Sequence, residues 1–195
     1  TNYYHKPVYN LNHFWKIDKK MSLSSTIYGS NGRGGGTGPL GDKPTTDANG
    51  LADWDNLIAS NSSNVDSDFV AGENRSNGII RASVNHHDWY GLISNFNYDD
   101  LIPNLNVSTG LDVRSYKGEH YREVVNLLGG DYYADVSRWS SSGFSDINDD
   151  STTGVKRVGD KVAYHNIGYN SWIGGFLQAE YSLDALTAFF SAAGS

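Results

Sequence analysis

One feature of the sequence restricts the fold more than any other: apolar and polar residues alternate with a period of two. The pattern is clearest from residue 105 to 114, where every second residue is Leu105, Val107, Thr109, Leu111 or Val113. The residues between them are polar, charged or glycine. A period of two is typical of a β-strand, whose successive side chains point to opposite faces. The pattern therefore predicts a strand with one apolar and one polar face.

Six segments of the chain show this alternation. They span residues 8–16, 21–28, 81–98, 105–116, 169–183 and 186–193. The composition agrees, because the 22 glycines and the many asparagine, serine and aspartate residues favour turns and disfavour helices. An all-α fold is excluded on that ground.

The connections between these segments alternate in length. Residues 17–20, 99–104 and 182–185 form short connections, whereas residues 29–78 and 118–166 form two long ones, with seven and eight of the 22 acidic residues. Long structureless loops are rare in compact soluble domains, but short turns at one end and long loops at the other are typical of outer-membrane barrels. The sequence thus predicts an all-β fold: an antiparallel transmembrane β-barrel segment of about six strands, with short periplasmic turns and two long extracellular loops.

Charge and composition exclude several other classes of protein. The net charge of -7 argues against a nucleic-acid partner. The absence of cysteine excludes disulfides and thiolate metal sites. No run of 18 apolar residues occurs, so the sequence predicts no transmembrane helix.

Several stretches resemble TonB-dependent outer-membrane receptors of the Bacteroidetes type. They are residues 3–15 (YYHKPVYNLNHFW), 28–38 (YGSNGRGGGTG), 83–91 (SVNHHDWYG), 110–118 (GLDVRSYKG) with 120–122 (HYR), 127–133 (LLGGDYY) and 174–181 (GGFLQAEY). Each stretch alone is weakly specific, but together they cover nearly the whole chain in the order that the family shows.

The resemblance implies a barrel of about 22 strands with an N-terminal plug inside it. Residues 1–195 would then be a partial outer-membrane β-barrel without the plug domain, located in the outer membrane of a Gram-negative bacterium. The implied function is energised uptake of a scarce nutrient: a siderophore, glycan, peptide or cobalamin. The implied partners are the remaining strands and plug of the same receptor, TonB through that plug, the lipid bilayer, and a surface lipoprotein or other outer-membrane protein. No cofactor is implied.

Motifs that could carry other chemistry lack the necessary context. Residues 36–41 match GxGxxG, but Pro39 and the polar stretch after it predict no helix, so a flexible outer loop is the better interpretation. His86 and Asp88 share a strand face that His87 cannot join, which predicts ordinary hydrogen bonds at the rim and no metal site. The acidic pairs at 99–100 and 149–150 are expected to be solvated. We therefore expect no enzymatic activity.

The long connections carry the candidate ligand-binding residues. Trp54, Tyr132, Tyr133 and Trp139 lie there among aspartate and asparagine residues. Aromatic rings beside amides and carboxylates suit recognition of sugars or peptides. The alternative interpretation is that these rings pack loop against loop.

Two other functional classes remain open from the sequence. A soluble β-sandwich that binds carbohydrate through loop aromatics is the main alternative. An enzyme such as a glycosidase is the other, although no sequence feature supports it. Dependence on detergent distinguishes them, because a barrel segment has an apolar lipid-facing surface and open edges.

The alternation in residues 105–114 yields a first prediction. If Leu111 faces lipid near the middle of the bilayer, Leu111→Arg will cost about 2–4 kcal/mol of folding free energy. The matched change Ser108→Arg lies on the polar face and will cost little. The measurement is a refolding titration of both variants into lipid, and equal costs at the two positions would contradict the orientation.

Overall fold

The structure, a computed structural model, describes residues 1–136 and 154–195 and is all-β, with 71% strand and 5% helix. In chain order the elements are β1 (Asn2–His5), β2 (Val8–Lys16), β3 (Met21–Gly41), β4 (Thr45–Thr46), β5 (Ala52–Asp53), α1 (Trp54–Ser62), β6 (Arg75–Ser76), β7 (Gly78–Ile102), β8 (Leu105–Asn126), β9 (Tyr132–Ala134), β10 (Val155–Lys156), β11 (Lys161–Leu183) and β12 (Leu186–Gly194). The all-β prediction is confirmed.

All six predicted segments are strands of one seven-stranded sheet. The sheet order is β1-β3-β7-β8-β11-β12, and β2 also pairs with β3. Strands β2 and β3 pair in antiparallel fashion with Leu11 opposite Ile27, and strands β11 and β12 do so with Leu177 opposite Ala192. The bounds of β2 coincide with the predicted segment 8–16.

The extent predicted for the two long loops is wrong. Strand β3 continues to Gly41, β8 continues to Asn126, and β11 already begins at Lys161. The glycine run, interpreted as a flexible outer loop, is therefore strand. Its glycines have no side chains, so the alternation of apolar and polar residues is absent from this segment. The space above the glycines is filled from the neighbouring strand, where Tyr4 lies opposite Gly34 and covers it.

The connection between β3 and β7 contains the helix that the sequence analysis missed. Helix α1 begins after Asp53, whose carboxylate accepts a hydrogen bond from the backbone N–H of Asn56 and caps the helix. Strand β6 pairs in parallel with β9, which joins the two long connections. In the described part of the chain, no helix has both the length and the apolar character needed to cross a membrane.

The chain divides into two compact units. Unit 1 comprises Thr1–His5, Arg33–His86 and Gly118–Ile167, and unit 2 comprises Lys6–Gly32, His87–Lys117 and Gly168–Ser195. Unit 1 contains the described parts of both long connections, and unit 2 contains all three short turns.

Unit 1 holds a small core around Ile79, Val124 and Val162, which are almost completely buried. Asn61 of α1 connects the long connections of this unit. Its Nδ2 donates to the carbonyl oxygens of Gly78 and Leu128, both at 2.9 Å. These contacts satisfy backbone acceptors that would otherwise be buried without partners.

Unit 2 is a sheet with two chemically different faces. Ser108 donates to Asn97 at 2.8 Å, and the Arg114 guanidinium lies over the Trp172 ring, so these residues share a polar face. The residues of opposite parity, including Leu111, lie on the other face. That face is apolar, and its aromatic and aliphatic members include Leu11, Trp15, Leu23, Ile27, Tyr90, Leu92, Phe96, Leu111, Ile173, Leu177 and Phe190.

Two turns of unit 2 are very short. Asn104 lies between β7 and β8 with a φ of 71°, and Asp184 lies between β11 and β12 with a φ of 48°. Asparagine and aspartate tolerate this left-handed conformation better than other non-glycine residues. The strands on either side are therefore joined in register with little intervening chain.

Gly41 and Gly78 allow a close approach of two backbone segments in unit 1. Gly41 has a φ of 77°, and a Cβ atom at Gly78 would lie 3.0 Å from the carbonyl carbon of Asp42 and overlap its oxygen. The backbone N–H of Asp42 donates to the Asn77 carbonyl oxygen at 2.9 Å in the same place. Only residues without a Cβ fit here.

The close contact between the backbones of Gly78 and Asp42 predicts the effect of adding one methyl group at residue 78. Gly78→Ala will lower the free energy of unfolding by about 1–3 kcal/mol, because the backbone of Asp42 must move. Gly168→Ala is the matched control, since open space surrounds Gly168 in β11, and its effect will stay within about 0.5 kcal/mol. Urea unfolding followed by circular dichroism measures both, and equal stability of the two variants would show that the approach is not tight.

Candidate functional site

Of the predicted ligand-binding aromatics that the structure describes, Tyr132 is the most deeply buried. It lies in β9 of unit 1 with no exposed surface, and its hydroxyl donates to the Asp66 carboxylate. That hydrogen bond and one from the backbone N–H of Phe69 hold the pKa of Asp66 well below its ordinary value. Burial and the Asp66 carboxylate raise the pKa of Tyr132 to about 12. In this structure Tyr132 packs loop against loop.

The other predicted aromatics lie in different surroundings. Tyr133 is half-buried against the core of unit 1, and burial raises its pKa. Trp54 begins α1 and is about one-third exposed. Trp139 lies outside the described residues, as does the acidic pair 149–150. Ligand contact through these residues stays a prediction.

A groove with binding chemistry lies in unit 2, on its polar face. Its volume is about 450 Å³. The residues that give it chemical character are Asn95, Asp112, Trp172 and Phe176, and the glycines Gly110 and Gly174 form part of its lining. Strands β7, β8 and β11 supply these residues, so the paired backbone fixes their positions.

Glycines on β8 and β11 make room for the aromatic walls. The Phe176 ring and the Asn95 side chain lie so close to Gly110 that a Cβ there would overlap both. The Trp172 ring lies over Gly174, where a Cβ would approach a ring carbon to 2.5 Å. The groove therefore has backbone at its base and rings at its sides.

A charged pair stands beside the Trp172 ring. The Arg114 Nε donates to both carboxylate oxygens of Asp112, at 3.0 and 3.1 Å, and Nη2 also contacts this carboxylate. The Arg114 guanidinium carbon lies 4.9 Å from the centroid of the Trp172 ring. The pair thus holds Asp112 in a fixed direction next to an aromatic surface.

This arrangement is suited to non-covalent binding. An aromatic surface, an amide and an oriented carboxylate are the groups that ligand pockets place among apolar walls. The alternation along β8 predicted that Asp112 and Arg114 lie on the polar face, but that pattern did not identify Trp172 or Phe176 as site residues. Their signal was available in the alternation of Trp172, Gly174 and Phe176 along one face of β11.

The adjacent histidines have separate partners, each within its own unit. In unit 1, His86 Nδ1 lies 3.8 Å from Glu119 and its ring meets Tyr121 edge-on. In unit 2, His87 Nδ1 shares a hydrogen bond of 2.7 Å with the Tyr116 hydroxyl. Across residues 1–136 and 154–195, no group of three or more histidine or acidic side chains is arranged to hold a metal ion.

Comparison with protein-family models, curated proteins and solved structures found no significant match to this chain.

The Asp66–Tyr132 pair predicts a pH dependence of stability. The folded pKa of Asp66 is lowered from 3.8, so its contribution is present above pH 3.8 and is lost as the pH falls through the folded pKa. The folded pKa of Tyr132 is raised from 10.0 to about 12, so its contribution is lost as the pH rises through that window. Tyr132→Phe removes both, and will lower the thermal unfolding midpoint most between about pH 4 and pH 10.

The control for this experiment is Tyr169→Phe, because Tyr169 is 75% exposed. Thermal unfolding of wild type and both variants across the pH range gives the comparison. A constant difference between wild type and Tyr132→Phe at every pH would show that the pair does not titrate as described.

Proposed function

We propose that the chain is part of the β-barrel of a TonB-dependent outer-membrane importer of a Gram-negative bacterium. It would import a scarce nutrient with energy coupled from the inner membrane through the receptor's plug and TonB. The sequence resemblance introduced the proposal, and three features of the described chain support it.

The exposed apolar face of unit 2 carries the proposal. Leu11 is 68% exposed, Ile173 63% and Phe190 59%, although all three lie within strands. A soluble sheet of this size normally covers such a face, because exposed apolar patches are small on soluble proteins. A lipid-facing surface requires apolar side chains on one face and allows polar ones on the other.

Strand lengths and edges also favour a membrane barrel. Strands β2 and β12 have nine residues each, close to the roughly 9–11 needed to cross a bilayer. Among the described strands, β12 pairs only with β11 and β2 only with β3. Such open, apolar edges favour pairing with further strands, since unpaired backbone groups are costly in lipid.

The polar face supplies the third argument. In a barrel of this kind the face opposite the lipid lines the lumen. The groove beside Trp172, with Asp112 and Asn95, would then face the path of an imported ligand. We propose this groove as a ligand contact, together with the loop aromatics that the sequence analysis selected.

Membrane topology provides the direct test. The chain lacks cysteine, so single cysteines can be introduced at Asn49 in a long connection and at Asp184 in a short turn. We expect a membrane-impermeant maleimide to label Asn49→Cys on intact cells and Asp184→Cys only after the outer membrane is permeabilised. Equal labelling on intact cells, or recovery of the protein in the aqueous fraction without detergent, would contradict the proposal. The latter result would favour the soluble carbohydrate-binding alternative.

Import itself is tested by uptake. Cells that produce the protein are compared with cells that lack it, using radiolabelled siderophore, oligosaccharide, peptide and cobalamin. The proposal expects uptake of one of these classes, and expects it to stop when an uncoupler dissipates the proton gradient. Uptake that is insensitive to the uncoupler would contradict energy coupling.

A further inference from the structure

Two arginines of unit 1 have a buried Nε atom without a hydrogen-bond partner. Arg81 lies in β7 and Arg122 in β8, and both residues are half-buried. Within the described ranges, neither forms an ion pair. Two arginines elsewhere are paired with carboxylates: Arg114 with Asp112, and Arg157 with Glu73 at 2.8 Å.

The register of the sheet brings the two arginines together. His120 Nδ1 lies 2.6 Å from Asn85 Oδ1, so these two residues lie on the same face of the neighbouring strands β8 and β7. Counting two residues along each antiparallel strand places Ser83 and Arg122 near each other on that face. Opposite or diagonal positions on one face of paired strands lie about 5–8 Å apart. Arg81 shares this face and donates from Nη1 to the Ser83 hydroxyl at 2.7 Å.

The remaining contacts leave hydrogen-bonding capacity unused. The second bond from Arg81 Nη1, to the Gly36 carbonyl oxygen, is long at 3.4 Å. The Arg122 guanidinium carbon lies 5.1 Å from the centroid of the Tyr164 ring, an interaction that uses none of its N–H donors in hydrogen bonds. Each guanidinium has five donors. Partly desolvated charges of one sign on the same face repel each other, so an anion that accepts from both guanidinium groups would stabilise them.

We propose that Arg81 and Arg122, with Ser83 beside Arg81, bind an oxyanion: a carboxylate or phosphate group of a ligand. The two Nη groups of a guanidinium form a planar fork that matches two oxygens of such a group. The Ser83 hydroxyl can donate a further hydrogen bond. The binding site does not depend on the membrane assignment, but the statement that its ligand is imported rests on the proposed function.

Calorimetric titration of the full purified protein, at constant ionic strength, tests the site with two probes: inorganic phosphate and citrate. We expect saturable binding of at least one probe. Arg81→Gln and Arg122→Gln will each weaken it at least about tenfold, the loss expected when charge-assisted hydrogen bonds are removed. Arg157→Gln removes the same charge from an arginine already paired with Glu73, and will leave the affinity unchanged.

The lysine variants make the test independent of folding defects. Arg81→Lys and Arg122→Lys keep the charge but lose the planar fork, so they will weaken binding while circular dichroism stays unchanged. Absence of saturable binding, an equal loss in Arg157→Gln, or full affinity in the lysine variants would each overturn the site. Because the titration requires neither import nor a defined topology, its failure leaves the importer proposal standing, and failure of the topology experiment leaves the site standing.

Discussion

Backbone pairing among four long strands is the interaction on which the rest of the structure depends. Strands β3, β7, β8 and β11 have 21 to 25 residues each, and each has a hydrogen-bonded strand on both sides. This pairing satisfies the backbone donors and acceptors without a thick core. It also explains how a chain whose tightest core cluster contains only Ile79, Val124 and Val162 can be ordered over such lengths. The groove beside Trp172 and the positions of Arg81 and Arg122 take their geometry from the same pairing.

Sequence alternation predicted the strands where the two faces differ in polarity, and it failed where they do not. Residues 8–16 and 105–116 contrast strongly from one position to the next, and both proved to be strands. Residues 29–41 are mostly glycine and polar, so nothing in the local pattern distinguishes strand from loop. The information lies in another strand, where Tyr4 covers Gly34. Helix α1 was missed because nine residues give little periodic signal, and the β6–β9 pairing because it joins distant segments.

In the candidate sites too, contacts between residues far apart in the sequence could not be predicted from the pattern of one segment. The polar parity of β8 was sufficient to assign Asp112 and Arg114 to one face. It could not show that Trp172, from a strand far along the chain, lies beneath the Arg114 guanidinium. Likewise, Tyr132 was selected for its aromatic character, but its burial and its bond to Asp66 depend on a contact between the two long connections. Among the described residues, the unpartnered Nε atoms of Arg81 and Arg122 can be recognised only when the neighbouring strands are in place.

The glycine positions on the polar face also bear on how the strands avoid misalignment. A shift of one strand by one residue would move its apolar side chains to the polar face, but a shift by two residues keeps every side chain on its own face. Hydropathy alone therefore cannot prevent two-residue slippage. The ring of Tyr28 occupies the space above Gly91, and that of Phe176 the space above Gly110. A two-residue slip would press Tyr28 against Trp89 or Ile93, and Phe176 against Ser108 or Asp112. Each ring therefore fits opposite the glycine of the neighbouring strand and not opposite the residues two positions away. This steric fit selects one register.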